Sequence, residues 1–232
     1  DAPVLKDESV RDYQYYSYVR VPDERGRIEL QVQDTSRYFF PAEAFIEIEG
    51  RLLKVDNTDY GIGDRVGFVN NDIMALFKSA TYMTDGREIK VCHGDIGVPT
   101  TIHGLARYWD DYSRSAGPSM MFAKDTTDHP ENSNVTPKAA GDTVVSMNEN
   151  FNLGFATRRS MLNDNEGFSC AIPLSHIFGF CKNVRKVIFG TKHTIVLVRK
   201  PTDDVVIWHA EGVNPSATVA LHGKVILTKL SL

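Results

Sequence analysis

Short β-branched apolar runs separated by turn-forming residues fill the last third of this chain, and they leave few folds open to it. Between Phe168 and Lys200, FSCAIPLSHIFGFCKNVRKVIFGTKHTIVLVRK holds strand-like runs around a turn marked by Pro and Gly, and it contains no chemical motif. Val205-Val-Ile-Trp-His-Ala and Thr218-Val-Ala-Leu-His-Gly-Lys-Val-Ile-Leu follow, the first set off by the turn signal Pro201-Thr-Asp-Asp. Runs of this kind build antiparallel sheets rather than helical bundles.

The first half carries the same signature in a cleaner form. Arg27-Ile-Glu-Leu-Gln-Val-Gln alternates polar and apolar residues, the period-two pattern of a half-buried strand, and Ala44-Phe-Ile-Glu-Ile-Glu-Gly-Arg-Leu-Leu-Lys-Val nearly repeats it. Arg65-Val-Gly-Phe-Val is a third strand, after the turn-rich Asp56 to Asp64. Asn70-Asn-Asp-Ile-Met-Ala-Leu-Phe opens with capping residues and predicts one or two helical turns. Asp85-Gly86 lies between Ala80-Thr-Tyr-Met-Thr and Arg87-Glu-Ile-Lys-Val-Cys, and it predicts a hairpin with a type I′ turn, because both central residues there need positive φ.

Counting these runs gives about eight main strands, the number in a two-sheet jelly roll. The expectation is an all-β, antiparallel, eight-stranded jelly-roll sandwich with a short helix and a long loop insertion. An N-terminal arm covers 1–12, and a single domain covers 13–232 with a helical and loop excursion at about 99–165. The helix is predicted to start at Pro99 and to carry Ile102, Leu105, Ala106 and Trp109 on one face. Ser113 to Val145, rich in Ser, Thr, Asn, Asp, Gly and Pro, reads as a long surface excursion.

Composition narrows the function classes. With 42% hydrophobic and 24% charged residues the chain has enough apolar material for a sizeable core. Its 26 Lys and Arg against 30 Asp and Glu leave no general basic field for direct nucleic-acid binding, and Arg185-Lys186 with Lys182 reads as a solvated turn, with a local basic patch as the alternative. Cys92, Cys170 and Cys181 lack metal or CxxC spacing and read as reduced thiols, with Cys170 buried. No stretch of eighteen apolar residues suggests membrane insertion.

The histidines at 93, 103, 129, 176, 193, 209 and 222 are scattered without HExxH or His-x-His spacing, although His193 and His209 sit in strand-like runs that could face each other. Asp110-Asp111 and Asp203-Asp204 read as solvated turn charges, since adjacent carboxylates point apart. No nucleophile elbow or phosphate loop appears. The reading is not an enzyme, with no cofactor and no metal. Asn134-Val-Thr matches a glycosylation acceptor only in form. Tyr13, Tyr15, Tyr16 and Tyr18 cluster within six residues, suited either to a first strand or to an interface, and Tyr108 and Trp109 are further interface candidates.

Together the segments Ala44–Arg51, Ala80–Ile89, Ile172–Phe180, Lys186–Gly190 and His193–Arg199 resemble the first half of double jelly-roll major capsid proteins, hexon-like, of the Polinton/Maverick and adintovirus type, a group that includes endogenised copies. The resemblance rests on Ile172, Pro173, Leu174, Phe178, Gly179, Phe180, Gly190 and His193. It implies that these runs lie in the later strands of the first jelly roll, with Gly179 and Gly190 at turns. It also implies a self-assembling viral structural protein whose subunits form trimeric capsomers and meet other capsid proteins. The place of action it implies is the virion, or the cytoplasm or nucleus of a host for an endogenised copy. Family members continue into a second jelly roll beyond the equivalent of Gly223–Leu230, and the given sequence covers the first only. The alternative is a domesticated single jelly roll that binds a protein or glycan ligand.

Overall fold

The computed structural model describes residues 17–18, 26–32, 38–60, 66–126, 152–162, 166–209 and 223–232. Along the chain run β1 (Ser17–Tyr18), β2 (Arg27–Val32), β3 (Tyr38–Phe39), β4 (Phe45–Lys54), β5 (Val66–Phe68), α1 (Asp72–Ala75), β6 (Phe77–Thr84), β7 (Arg87–Cys92), α2 (Gly97–Arg107) and α3 (Asp110–Ser115). After a 3-10 turn at Gly117–Met120 come α4 (Leu153–Ser160), β8 (Gly167–Pro173), α5 (Leu174–Ile177), α6 (Gly179–Asn183), β9 (Ile188–Phe189) and β10 (His193–Arg199). A second 3-10 turn, Asp204–Val206, leads to β11 (Ile207–His209) and β12 (Gly223–Ser231). The arm at 1–12, Tyr13, Tyr15 and Tyr16, His129, Asn134 and His222 lie outside the described residues, and for Tyr18 and His209 only the backbone is described.

Every strand pairing is antiparallel, as the alternation predicts. One four-stranded sheet has the order β1-β12-β4-β8 and a second the order β2-β10-β6-β7, with two-stranded sheets β11-β5 and β3-β9 beside them. Five pairings nest around one tip. Asp85 and Gly86 join β6 to β7, and outside that hairpin β4 meets β8, β3 meets β9, β2 meets β10 and β1 meets β12. Asp85 at φ 49 and Gly86 at φ 76 both take the left-handed region that a type I′ turn requires. The pairings of β4 with β12 and of β6 with β10 then complete the two four-stranded sheets.

The core follows from the alternation. In β2 the buried residues are Ile28, Leu30 and Val32, and in β4 they include Ile46, Ile48 and Leu52. These join Ala80, Tyr82, Ile195, Leu197, Val225 and Leu227 in one cluster drawn from both four-stranded sheets. Cys170 is buried in the same cluster, as expected of a small apolar side chain. Gly50 of β4 is a tight point in this sheet. A Cβ there would stand 2.5 Å from the Ile226 carbonyl oxygen and 2.6 Å from the Phe168 ring. Glycine thus lets Phe168 lie across β4, where its ring meets Phe68 edge-on at 5.3 Å.

Helix is more abundant than the single short helix expected: among the described residues strand accounts for 40% and helix for 29%. The run Ile172–Phe180, expected in strands, leaves the sheet at Pro173, the last residue of β8, and continues as α5 and α6. Proline has no N–H for further ladder pairing, and Leu174, Ile177 and Phe178 find burial on helical turns instead. The expected surface excursion from Ser113 begins in the core, for Met120, Met121, Phe122 and Ala123 are all buried. Asp203, expected as a solvated turn charge, is also buried. It accepts from Arg199 Nη2 at 3.1 Å and from the Val225 backbone N–H at 2.9 Å, tying the turn after β10 to β12.

A second buried ion stands under α4. Arg158, fully buried, donates Nε to the Phe68 carbonyl at 2.9 Å, one terminal nitrogen to the Ala123 carbonyl and the other to Asp125 Oδ1 at 2.7 Å. Its planar fork satisfies three acceptors from two segments, β5 and the stretch Ala123–Asp125, at once.

Filling the Gly50 notch tests this packing. Gly50→Val is expected to cost roughly 1–3 kcal/mol or more, as overpacking against fixed backbone does, read as a lower denaturant midpoint in chemical unfolding.

Candidate functional site

Helix α2 organises the described surface, and it does so with its small residues turned inward. Its inner side is made of small residues, Gly97, Thr100 and Gly104. A Cβ on Gly97 would stand 2.6 Å from Ala75 Cα, and one on Gly104 would stand 2.5 Å from the Phe122 ring, so the backbone itself packs against its neighbours. The predicted face points outward: Ile102 is 62% exposed, Leu105 49% and Trp109, beyond the helix, 83%, with Ala106 also exposed, and Val98 at 56% joins them. Val98, Ile102 and Leu105 recur at helical spacing and form a stripe, while Trp109 follows after the helix has ended at Arg107, where Tyr108 and Trp109 are extended.

A buried polar network holds α2 in place. Asn71, left-handed at φ 59, gives no capping bond to α1. Its side-chain nitrogen donates to Thr100 Oγ1 at 2.8 Å and Thr101 Oγ1 at 2.9 Å, with the Gly97 carbonyl at 3.4 Å. With the amide nitrogen so engaged, Asn71 Oδ1 faces His176 Nε2 at 3.3 Å, so that nitrogen carries the proton. His176 Nδ1 is then the acceptor for the Tyr108 hydroxyl at 2.8 Å. Tyr108 also stacks on His176 at 5.7 Å and on Tyr112 at 4.2 Å. Burial pushes the His176 pKa down to about 4 and the Tyr108 hydroxyl up to about 12. Both stay neutral and serve as struts.

The two adjacent interface candidates therefore separate. Trp109 is open to solvent, whereas Tyr108 is committed to the network. Of the residues that carry the family resemblance, Ile172, Leu174, Phe178 and His193 are buried, and Phe178 and Phe180 pack on Tyr82 at 5.6 and 5.3 Å. Gly190, at φ 75, is a turn that needs glycine, but Gly179 opens α6 and has open space around it. His193 shares a 2.8 Å hydrogen bond with Tyr82 and a 2.9 Å one with Thr191, while burial lowers its pKa. Among the described residues no group of three or more His, Cys, Asp or Glu is placed to hold a metal ion, and no helix is long and apolar enough to cross a membrane.

A second exposed apolar group escaped the sequence reading. The β3-β9 pair brings Tyr38 and Phe189 to a ring separation of 4.9 Å, with 73% and 57% of each exposed and Val187 alongside. Strands of two residues leave no periodicity to detect, so no sequence signal marks this corner. No protein-family model matches the chain, and no curated protein shows significant similarity to it.

Two buried groups set opposite pH dependences. His176 has a folded pKa below its unfolded value near 6.5, so the stability of its neutral form is complete above that value and is lost as pH falls toward 4. Unfolding free energy is expected to drop by roughly 3 kcal/mol from this source, and His176→Gln should flatten that part of the profile. Asp72 is fully buried near Arg158, and neither carboxyl oxygen makes a hydrogen bond of normal geometry. Burial raises its pKa to about 8 against the opposing pull of Arg158. Its contribution is complete below about 4 and is lost as pH rises through 8. Asp72→Asn should therefore match the parent in acid and exceed it at pH 8 in the same unfolding experiment.

Proposed function

We propose that the chain is a jelly-roll structural subunit that acts through protein–protein contacts in a capsid or capsid-like assembly. The fold part of this reading is supported by strand order. Numbering only the strands of the two four-stranded sheets from one to eight gives the orders 1-8-3-6 and 2-7-4-5. Their nested pairs 1:8, 2:7, 3:6 and 4:5 describe one long antiparallel ribbon folded across two sheets, which is the winding of a jelly roll. That winding agrees with the resemblance, carried by the sequence segments, to double jelly-roll capsid proteins of the Polinton and adintovirus type. The partners in this reading are further copies of the chain, in trimeric capsomers, and other capsid proteins, and its place is the virion or the interior of a host cell.

The observation that carries the functional part is the outward stripe Val98, Ile102 and Leu105 of α2, with Trp109 exposed just beyond the helix. Turning such residues to water forgoes roughly 1.5–3 kcal/mol of burial for each large one, which a subunit recovers on meeting a partner. A ring of copies meets through unlike patches, so one stripe on each copy is enough for a closed trimer.

Multi-angle light scattering across a concentration series tests it. Association into a defined oligomer is expected, and Ile102→Asp with Leu105→Asp should shift it to a monomer that still unfolds in one cooperative transition, with a midpoint that no longer depends on protein concentration. A parent that stays monomeric at high concentration, or an oligomer indifferent to both substitutions, would count against the stripe as the contact.

A further inference from the structure

Beside the His176 network, where α2 ends near α5 and α6, the surface holds two adjoining concavities of about 220 Å³ each that share His103, Ser175 and Lys182. The first is lined by Arg107, Lys182 and Arg185 together with His103, while Tyr108 and Tyr112 supply aromatic wall. No Asp or Glu lines either concavity. Among the described residues Arg107 and Arg185 make no ion pair, and the closest polar neighbour of the Lys182 ammonium is His103 Nε2 at 3.4 Å. His103 Nδ1 is buried without a hydrogen-bond partner.

This gathering of charge runs against the chain as a whole, whose formal net charge is −4. Arg107 and Lys182 each stand in the last turn of a helix, where the dipole favours a cation, and that accounts for each one alone. It does not account for their convergence with Arg185 in one hollow without a carboxylate. Like charges held together within a cleft raise the local potential and draw anions in. The ring of His103 is kept neutral first by burial and then by Lys182 and Arg107, so it adds a hydrogen-bonding group rather than a fourth charge.

We infer that this cleft is a binding site for a phosphate-class oxyanion, with Arg107, Lys182 and Arg185 supplying charge and the Ser175 hydroxyl a hydrogen bond. Guanidinium groups meet phosphate oxygens in paired hydrogen bonds, and the ammonium adds a point charge. The inference stands apart from the assembly reading, since it uses neither the apolar stripe nor a second copy.

Calorimetric titration of the full chain at pH 7.5 and fixed ionic strength tests it, with inorganic pyrophosphate as one probe and glycerol phosphate as the other. Saturable binding at one site per chain is expected, and Arg107→Gln or Arg185→Gln, both at exposed positions, should each weaken it about tenfold. Lys186→Gln removes a neighbouring charge that does not line the cleft, and it should leave affinity unchanged. Binding of pyrophosphate alone assigns a free anion, and binding of glycerol phosphate as well assigns an esterified one. Absence of saturable binding, or equal weakening by Lys186→Gln, overturns the proposal, because the second result is what a diffuse surface field gives.

Discussion

The position of β4 is the constraint on which the rest of the structure depends. It lies inside the first sheet between β12, which comes from residues 223–231, and β8, which comes from residues 167–173. Its ten residues must match both partners at once while keeping Ile46, Ile48 and Leu52 turned to the core. A slip of one residue would present the glutamates Glu47 and Glu49 to the interior instead. Gly50 fixes the register further, because only there can Phe168 cross the strand. On the outward side Lys229 of β12 reaches Glu47 at 3.1 Å and Glu49 at 2.9 Å. These pairs are largely exposed and contribute little energy, yet they favour the same alignment. The second sheet inherits its place from this one through the nested ribbon, whose local pairing is the Asp85-Gly86 hairpin.

Sequence periodicity exposes this part of the structure well. Strands β2 and β4 and the hairpin could be read directly, because alternation and turn chemistry are local properties. Alternation also indicates which side of each strand is apolar, and a sheet with one buried face has no other use for that side. A helix is different. The period of α2 locates an apolar stripe but does not say whether the core lies beneath it. The core here lies beneath Gly97, Thr100 and Gly104, because close backbone approach to Ala75 and Phe122 requires small residues. Such residues carry almost no hydrophobic signal, so the sequence shows the larger ones on one face and leaves the inner side unmarked.

Buried charge was hidden for a related reason. Asp203 stands in a turn sequence with every mark of solvation, and Arg158 sits in a short helix with another arginine beside it. Whether either is buried depends on acceptors brought from elsewhere: Val225 lies in β12 and Phe68 in β5. No local pattern encodes those encounters. The same holds for the link from Asn71 through His176 to Tyr108, which joins three segments far apart in the chain. Tyr108 looked like an interface residue because tyrosine suits interfaces, while its hydroxyl was already engaged within the fold.

Rigidity and exposure are coupled in α2. Removing a partner from a buried hydrogen bond leaves its mate unsatisfied, at a cost of roughly 1–3 kcal/mol, so the network resists any rotation of the helix about its axis. Rotation is also the motion that would bury Ile102 and Leu105 and so relieve their exposure. Polar satisfaction inside therefore keeps the apolar stripe outside. A freely packing helix would turn its large side chains inward, whereas this one is held by the short side of its cross-section. The stripe thus remains available to a partner with little reordering, which spares association part of the entropy that a mobile segment would lose.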